Sequence, residues 1–348
     1  MIFWAWITTR LPSLASTTMS PAFEMVDLKG KVVIVTGGKS VAAEGPLSVI
    51  LTVTSSSGIG YETVRHLARA GAKVYMAARN ETRAAEAIER LKTKPLEPGI
   101  GEVVWLNLDL SDPRLARQSA EEFMRKEKRL DVLVNNAGVM LEPYETGPDG
   151  MSSLVIVNYL SPFVFTQTLL PLLTSTSQES NSDVRIINVS SASHKWAPSG
   201  FKCDTIQDLN VSYDKKWFSS FWRYAHSKLL VILWTMTLQK QFDVTQPPTP
   251  ITAISLHPGS VDTFTHKWPL APLWKLLIAP VVTDIDRGSY TSFFAAAGKD
   301  IRDNRDKYKG VYLEDKPTRI ANPSKVGRDN DLAQRLWTIT VEFLSKLN

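Results

Sequence analysis

The chain has 348 residues with 40 Lys and Arg against 35 Asp and Glu, a formal net charge of +5, and 43% hydrophobic content. That is enough chain and enough apolar content for one globular α/β-sized domain with extensions, and no composition shift marks a second. The basic residues are dispersed, so the excess charge does not point to nucleic acid. Cys203 is the only cysteine, which excludes disulfides within the chain and a cysteine-built zinc site and suits a reducing compartment. The five histidines show no metal-ligand spacing, so no metal is expected.

Met1 to Ile7 is apolar but too short to span a bilayer and has no preceding positive charge. Residues 1–27 are expected to form a flexible tail, with Met19 and Met25 both reasonable starts. The run Lys31-Val32-Val33-Ile34-Val35 is β-branched and unbroken by polar residues, as a buried parallel strand is. It runs into Thr36-Gly37-Gly38, and an amphipathic helix that stops at Gly71 begins near Tyr61. Such a strand, glycine turn and helix bind the pyrophosphate of a dinucleotide through free helix amides.

The glycines do not arrive together. Gly58 of Ser57-Gly58-Ile59-Gly60 lies 21 positions after Gly37, where a tight glycine turn closes within about four. The stretch 39–56 includes the apolar run Val49-Ile50-Leu51. One reading is a surface loop, since added loop length costs little entropy. The favoured reading is a retained intron between codons 39 and 56, because an apolar run is out of place in a phosphate loop. Its removal would fuse the two codons into one for Asn and restore T-G-G-N-S-G-I-G-Y-E-T.

Lys73 to Ala78 is a second strand, Arg79 to Thr93 a helix, Val103 to Asp109 a third strand and Asp112 to Lys128 a helix. Leu130 to Val134 is a fourth strand, Leu154 to Leu173 a long apolar helix and Val184 to Val189 a fifth strand. Tyr224 to Phe242 is a helix and Ile251 to Leu256 a sixth strand, and the tail from Asn304 is expected to close the domain with an amphipathic helix. The alternation implies an α/β fold, a single doubly wound parallel sheet flanked by helices, whose ligands sit at the carboxyl ends of the strands.

Those ends carry the polar motifs. The third strand ends in Asp109-Leu110-Ser111, the fourth in Asn135-Asn136-Ala137-Gly138 and the fifth in Asn188-Val189-Ser190-Ser191. Asn158 lies in Val157-Asn158-Tyr159, where an isolated asparagine would ordinarily cap or face solvent. In Tyr224-Ala225-His226-Ser227-Lys228 the tyrosine and lysine stand at i and i+4 on one helix face. A neighbouring ammonium favours the phenolate and lowers the tyrosine pKa, as acid–base work near neutral pH requires. His257-Pro258-Gly259-Ser260-Val261-Asp262-Thr263 follows the sixth strand. His257 reads as a turn residue.

Taken in order, these motifs resemble those of the classical short-chain dehydrogenase/reductase superfamily over residues 28–320, with only the glycine loop departing. Tyr-Glu-Thr after that loop and the long stretch from Ser191 to Tyr224 resemble the retinol-dehydrogenase-like and WW-domain-oxidoreductase-like branch. The resemblance implies a Rossmann-type fold and hydride exchange between a nicotinamide cofactor and a carbonyl or alcohol. Tyr224 would then be the general acid and base, Ser191 would polarise the oxygen, with Ser190 and Ser193 as fallbacks, and Lys228 would tune Tyr224 and bind the ribose. Asn158 would hold a water of the proton relay. The cofactor would lie on Gly37, Ser57, Gly58, Ile59, Gly60, Arg79, Asp109, Asn136, Ala137, Gly138, Tyr224, Lys228, Val261 and Thr263.

Ala78 and Arg79 stand where an acidic residue would select NAD, and an arginine accommodates the 2′-phosphate, so NADP(H) is favoured over NAD(H). The stretch 194–223, with Trp196, Phe201, Trp217, Phe218, Phe221 and Trp222, and the apolar stretch 264–285 are expected on the substrate side. They favour a lipophilic ketone, aldehyde or alcohol, such as a secondary metabolite or a retinoid-like or steroid-like compound. Peripheral membrane contact and self-association are open alternatives for the apolar stretch, on an otherwise cytoplasmic protein with residues 321–348 as a helical extension. The alternative to an active enzyme is a cofactor-binding or inactive isoform whose glycine loop is interrupted.

Overall fold

The computed structural model describes residues 23–37, 58–93, 101–140, 143–147, 149–259, 285–314 and 316–347. Ser57, Val261, Thr263, the stretch 39–56 and most of 264–285 lie outside the described residues.

The first strand, β1, is Val32–Thr36, and all five residues are buried. Burial on both faces is what an uninterrupted β-branched run selects, because helices must cover each side of a parallel sheet. Parallel neighbours are β2 (Lys73–Ala78), β3 (Val103–Asn107), β4 (Val132–Asn135), β5 (Val184–Val189) and β6 (Ile251–Leu256). Two further short strands, β7 (Tyr312–Leu313) and β8 (Ile320–Ala321), extend one edge. The sheet order is β3-β2-β1-β4-β5-β6-β7-β8, parallel throughout except for the β7–β8 pair. The chain reverses its winding between β1 and β4, and that crevice is the ligand position of a doubly wound sheet. β7 and β8 are too short to carry a periodic signal in the sequence.

Helices α1 (Ile59–Arg69), α2 (Glu81–Thr93), α3 (Pro113–Lys126), α4 (Ser161–Ser177), α5 (Ser219–Val244), α6 (Ile285–Ala297) and α7 (Asn330–Ser345) are joined by shorter turns. Asp112 caps α3 by accepting from Arg114 N–H, with Pro113 in the first turn. Before α4 the chain makes one helical turn, Ser153–Val155, and one π-helical turn, Ile156–Leu160. Asn158 sits in that π turn, so the long helix expected from Leu154 is interrupted at its polar residue. The span Ser153–Ser177 is long and apolar enough to cross a membrane, but 78% of its apolar window is buried, as in a core helix.

Alternate residues of β1 feed two cores. Val32 and Ile34 face a cluster with Phe123, Tyr159, Phe163, Trp234 and Leu336, whereas Val33 and Val35 face one with Val64, Leu67, Phe293 and Phe294. The C-terminal extension belongs to the first of these cores, since Leu332, Leu336 and Leu344 are buried in it. The N-terminal end also departs from the expected tail. Residues 23–27 pack on the domain through a Met25–Gly298 bridge, a Val26 N–H bond to Ala297 O, and Phe23 against Phe293 and Phe294.

Candidate active site

Thr36, the last residue of β1, organises the crevice. Its Oγ1 accepts from the backbone N–H of Asn136 and of Ala137, each at 3.1 Å, and its carbonyl accepts from Asn136 Nδ2 at 3.0 Å. Gly60 of α1 packs against the same asparagine, and a Cβ on Gly60 would come within 2.6 Å of Asn136 Nδ2. Helix α1 therefore starts beside the end of β1, although 21 positions separate Gly37 from Gly58. Gly58 precedes α1 at φ 114°, a left-handed conformation that glycine adopts freely, and among the described residues no side chain caps the helix. Amides at the start of a helix suit an anion.

A cavity opens along the strand ends, lined among others by Gly37, Ala78, Arg79, Asp109, Ala137 and Gly138. Arg79 Nη1 stands 3.7 Å from Asp109 Oδ2, and Asp109 also accepts from Ser111 N–H at 2.8 Å. Trp105 Nε1–H donates to Ala78 O at 2.9 Å, which fixes the end of β2 beside that cavity.

The motif residues meet at the inner end of the crevice. A Cβ on Gly138 would lie 3.1 Å from Lys228 Nζ and 3.3 Å from Asn158 Oδ1, so the turn after β4 passes closely over both groups. Lys228 is buried; its Nζ donates to Val189 O at 2.9 Å, and burial pushes its pKa down to about 8. Tyr224 forms a hydrogen bond with Ser191; burial pushes the phenol up to about 12, and the Ser191 bond pulls in the opposite direction. Lys228 Nζ lies 5.7 Å from the centre of the Tyr224 ring, over its face. The hydrogen-bond partner of Tyr224 is thus Ser191, while Lys228 stands over its ring.

Of the three serines, Ser191 reaches the tyrosine. Ser190 Oγ is committed to Lys228 O at 2.7 Å, and Ser193 donates its N–H to Ser191 Oγ at 3.2 Å. The Asn158 side chain accepts from Val139 N–H at 2.8 Å and donates to Val139 O and Ser227 Oγ, each at 2.9 Å. Both hydrogens of its amide are thus committed within the chain. Ile59 opens α1 next to Gly58. Thr36, Ser227 and His194 are polar supports that sequence reasoning did not assign. Ser227, whose Oγ also bonds Tyr224 O at 2.8 Å, was visible only as filler between tyrosine and lysine.

Glu62, His66 and Asp286 offer ligand atoms within 4.8 Å of one another at the α1–α6 contact. Arg65 is ion-paired to both carboxylates there, so their charge is already compensated by the chain.

A short-chain dehydrogenase/reductase of Armillaria gallica is 39% identical to this chain over 338 residues, covering 95% of this chain and 98% of that one. The chain belongs to the short-chain dehydrogenase/reductase family. Human retinol dehydrogenase 12 is 32% identical over 321 residues, covering 92% of this chain and 88% of that one, which puts this family member in the retinol-dehydrogenase-like branch. The family profile described as short chain dehydrogenase matches residues 48–201 and so begins inside the displaced stretch, leaving β1 outside. RhlG of Pseudomonas aeruginosa, solved as an NADP active-site complex, shares the fold at TM-score 0.59 and 22% identity, covering 86% of this chain and 99% of that one. This family member is an oxidoreductase, and the family uses NAD(P).

The crevice fits such a cofactor. The start of α1, the close approaches at Gly60 and Gly138, and Arg79 in the cavity wall offer helix amides, a close-approach surface and a cation.

Proposed function

We propose that this short-chain dehydrogenase/reductase interconverts a carbonyl and an alcohol on a lipophilic small molecule with NADP(H), using Tyr224 as general acid and base. The observation that carries the reading is the convergence of Tyr224, Ser191 and Lys228 beside Gly138, a residue of the cavity wall. Gly37, Gly58, Gly60, Asn136, Ala137 and Gly138 would hold the cofactor, with Arg79 at its adenosine 2′-phosphate. When bound, the nicotinamide supplies or accepts the hydride.

The chain itself handles the proton. Ser191 Oγ already accepts from Ser193 N–H, which turns its own hydrogen toward Tyr224 or toward a carbonyl oxygen in the same place. Burial keeps Tyr224 protonated at neutral pH, the state a carbonyl reduction needs. Charge developing on the oxygen draws that proton across, and Ser191 and the Lys228 ammonium stabilise the phenolate left behind. Alcohol oxidation needs the phenolate first, so it gains from alkaline pH.

A lipophilic substrate is supported by the approach to Tyr224. Phe221 stands one turn before it in α5 and meets Trp196 at 6.3 Å between ring centres, and Trp217 is 92% exposed beyond them. The branch relative named retinol dehydrogenase acts by its name on an apolar alcohol. The same aromatic face would suit peripheral contact with a lipid surface.

Tyr224→Phe tests the assignment. It should lower carbonyl reduction by about a thousandfold or more while NADPH binding stays within about threefold. Retained turnover overturns the reading. A second reading, an isoform without turnover, is favoured by one observation: the family match that begins at residue 48.

A further inference from the structure

Ser191 is gripped at its carbonyl as well as at its hydroxyl. The carbonyl accepts from His194 N–H at 3.1 Å and faces His194 Nδ1 at 2.7 Å. A carbonyl only accepts, so Nδ1 carries the hydrogen. On the far side of the ring, Ser324 N–H points at His194 Nε2 at 3.1 Å, so Nε2 is the acceptor. Two backbone groups from distant parts of the chain thereby fix one neutral tautomer.

The surroundings hold the ring in place. His194 is fully buried, its ring meets Tyr312 of β7 edge-on at 5.0 Å, and burial lowers its pKa below the usual imidazole value. The Ser324 segment is anchored in turn. Ser324 Oγ accepts from Gly327 N–H at 3.1 Å. A Cβ on Gly327 would sit 3.1 Å from Pro323 and 3.5 Å from Leu229, the residue after Lys228. The segment 323–327 thus bridges His194 and the helix that carries Tyr224 and Lys228. Lys195 and Arg319, both paired with Glu314, are charged neighbours of this bridge.

We propose that His194 is a positioning residue for the reaction: by holding the Ser191 carbonyl it sets the direction of the Ser191 hydroxyl, with Ser324 as its outer anchor. The proposal rests on the reading of Ser191 as the group that polarises the substrate oxygen. The carbonyl belongs to the 191–192 peptide, which leads into the Ser193 N–H that donates to Ser191 Oγ, so a tilt of that peptide displaces the donor that orients the hydroxyl. An error of about 1 Å there is enough to cost a hundredfold in rate.

The experiment uses the full chain with His194→Ala, His194→Asn and His194→Gln, each in the parent and in Ser191→Ala, with NADPH and an apolar aromatic aldehyde as probe. Asn places an amide N–H near Nδ1, whereas Gln places an oxygen near Nε2. His194→Ala and His194→Gln should lower kcat about tenfold or more with NADPH affinity within about twofold, and His194→Asn should recover most of the loss. In the Ser191→Ala background, His194→Ala should change the residual rate by less than about twofold, because the two act through one hydroxyl. An undiminished kcat in His194→Ala, an equal loss in both backgrounds, or no recovery with Asn would each overturn the proposal. If the Ala variant does not fold, the Asn and Gln variants decide between the same outcomes. Imidazole 15N shifts of the parent should report the neutral Nδ1–H form at pH 7, and an Nε2–H form overturns the lock. Absence of carbonyl turnover in the parent with the Nδ1–H form intact would overturn the catalytic reading, and with it the role but not the tautomer.

Discussion

Asn158 satisfies both main-chain groups of Val139, accepting from its N–H at 2.8 Å and donating to its carbonyl at 2.9 Å. Val139 directly follows Asn136-Ala137-Gly138, so this one side chain fixes the turn that roofs Lys228. Asn158→Ala leaves a buried N–H and a buried carbonyl unpaired, each costing about 1–3 kcal/mol. The variant should unfold at a clearly lower urea concentration, and its NADPH affinity should drop by about tenfold. An unchanged urea midpoint would mean that water replaces the amide.

Lys228 gives a pH signature. Its folded pKa lies at about 8 against an ordinary 10.5, because burial penalises the ammonium. Below pH 8 the charged form is present in the fold, and above it the amine is neutral. Affinity for the anionic cofactor should therefore be flat below pH 8 and fall above it, and Lys228→Met should lose that limb. The unfolded chain binds the proton up to pH 10.5, so this group makes the fold more stable as pH rises from 8 to 10.5, by up to about 3 kcal/mol. Urea titrations of parent and Lys228→Met at pH 7 and pH 10 should show that difference.

Cofactor choice turns on Arg79. Its guanidinium is one-third exposed and stands 3.7 Å from the Asp109 carboxylate, a spacing that leaves it able to turn toward a phosphate. Arg79→Ala should raise the KM for NADPH by about tenfold to a hundredfold and leave that for NADH within about threefold. Equal loss with both cofactors would assign Arg79 a role in the fold instead.

Thr340 of α7 and Tyr159 of the π turn meet at 2.8 Å between hydroxyl oxygens, both buried. Tyr159 is the next residue after Asn158, so the C-terminal helix braces the candidate site from behind. Thr340→Val should destabilise the fold by about 1–3 kcal/mol in urea unfolding, because it strands the Tyr159 hydroxyl. Tyr159→Phe added to it should return part of that loss.

Strands and helices of β1 to β6 were legible because a parallel sheet buried on both faces writes long apolar runs; Gly37 and Gly138 follow two of those runs, and Tyr224 to Lys228 lie in the helix between β5 and β6. The supports were not. Thr36 reads as the last residue of a strand, Ser227 as a spacer and His194 as a polar loop residue, and each acquires its role from a partner tens of residues away. Ser324 lies 130 positions from His194, a distance at which no local pattern operates. β7 and β8 escaped for a different reason: two residues cannot show a period of two. The i, i+4 spacing of Tyr224 and Lys228 shows that they share a helix face, whereas the position of Nζ over the ring and against Val189 O is set by tertiary packing.

Gly60 stands against Asn136, which is bonded to Thr36, so the two ends of the displaced glycine loop are together with residues 39–56 between them. A chain restored to T-G-G-N-S-G-I-G closes the same gap with the shortest turn and a full set of backbone amides toward the pyrophosphate. NADPH affinity and carbonyl reduction should be measured side by side for both chains. If the phosphate amides need the short turn, the restored chain should bind NADPH about tenfold or more tightly, with kcat at saturation changed far less, because Tyr224, Ser191 and Lys228 lie on other elements. Equal affinity would show that the added segment leaves the phosphate site intact, and turnover confined to the restored chain would identify this one as a product of misprocessing.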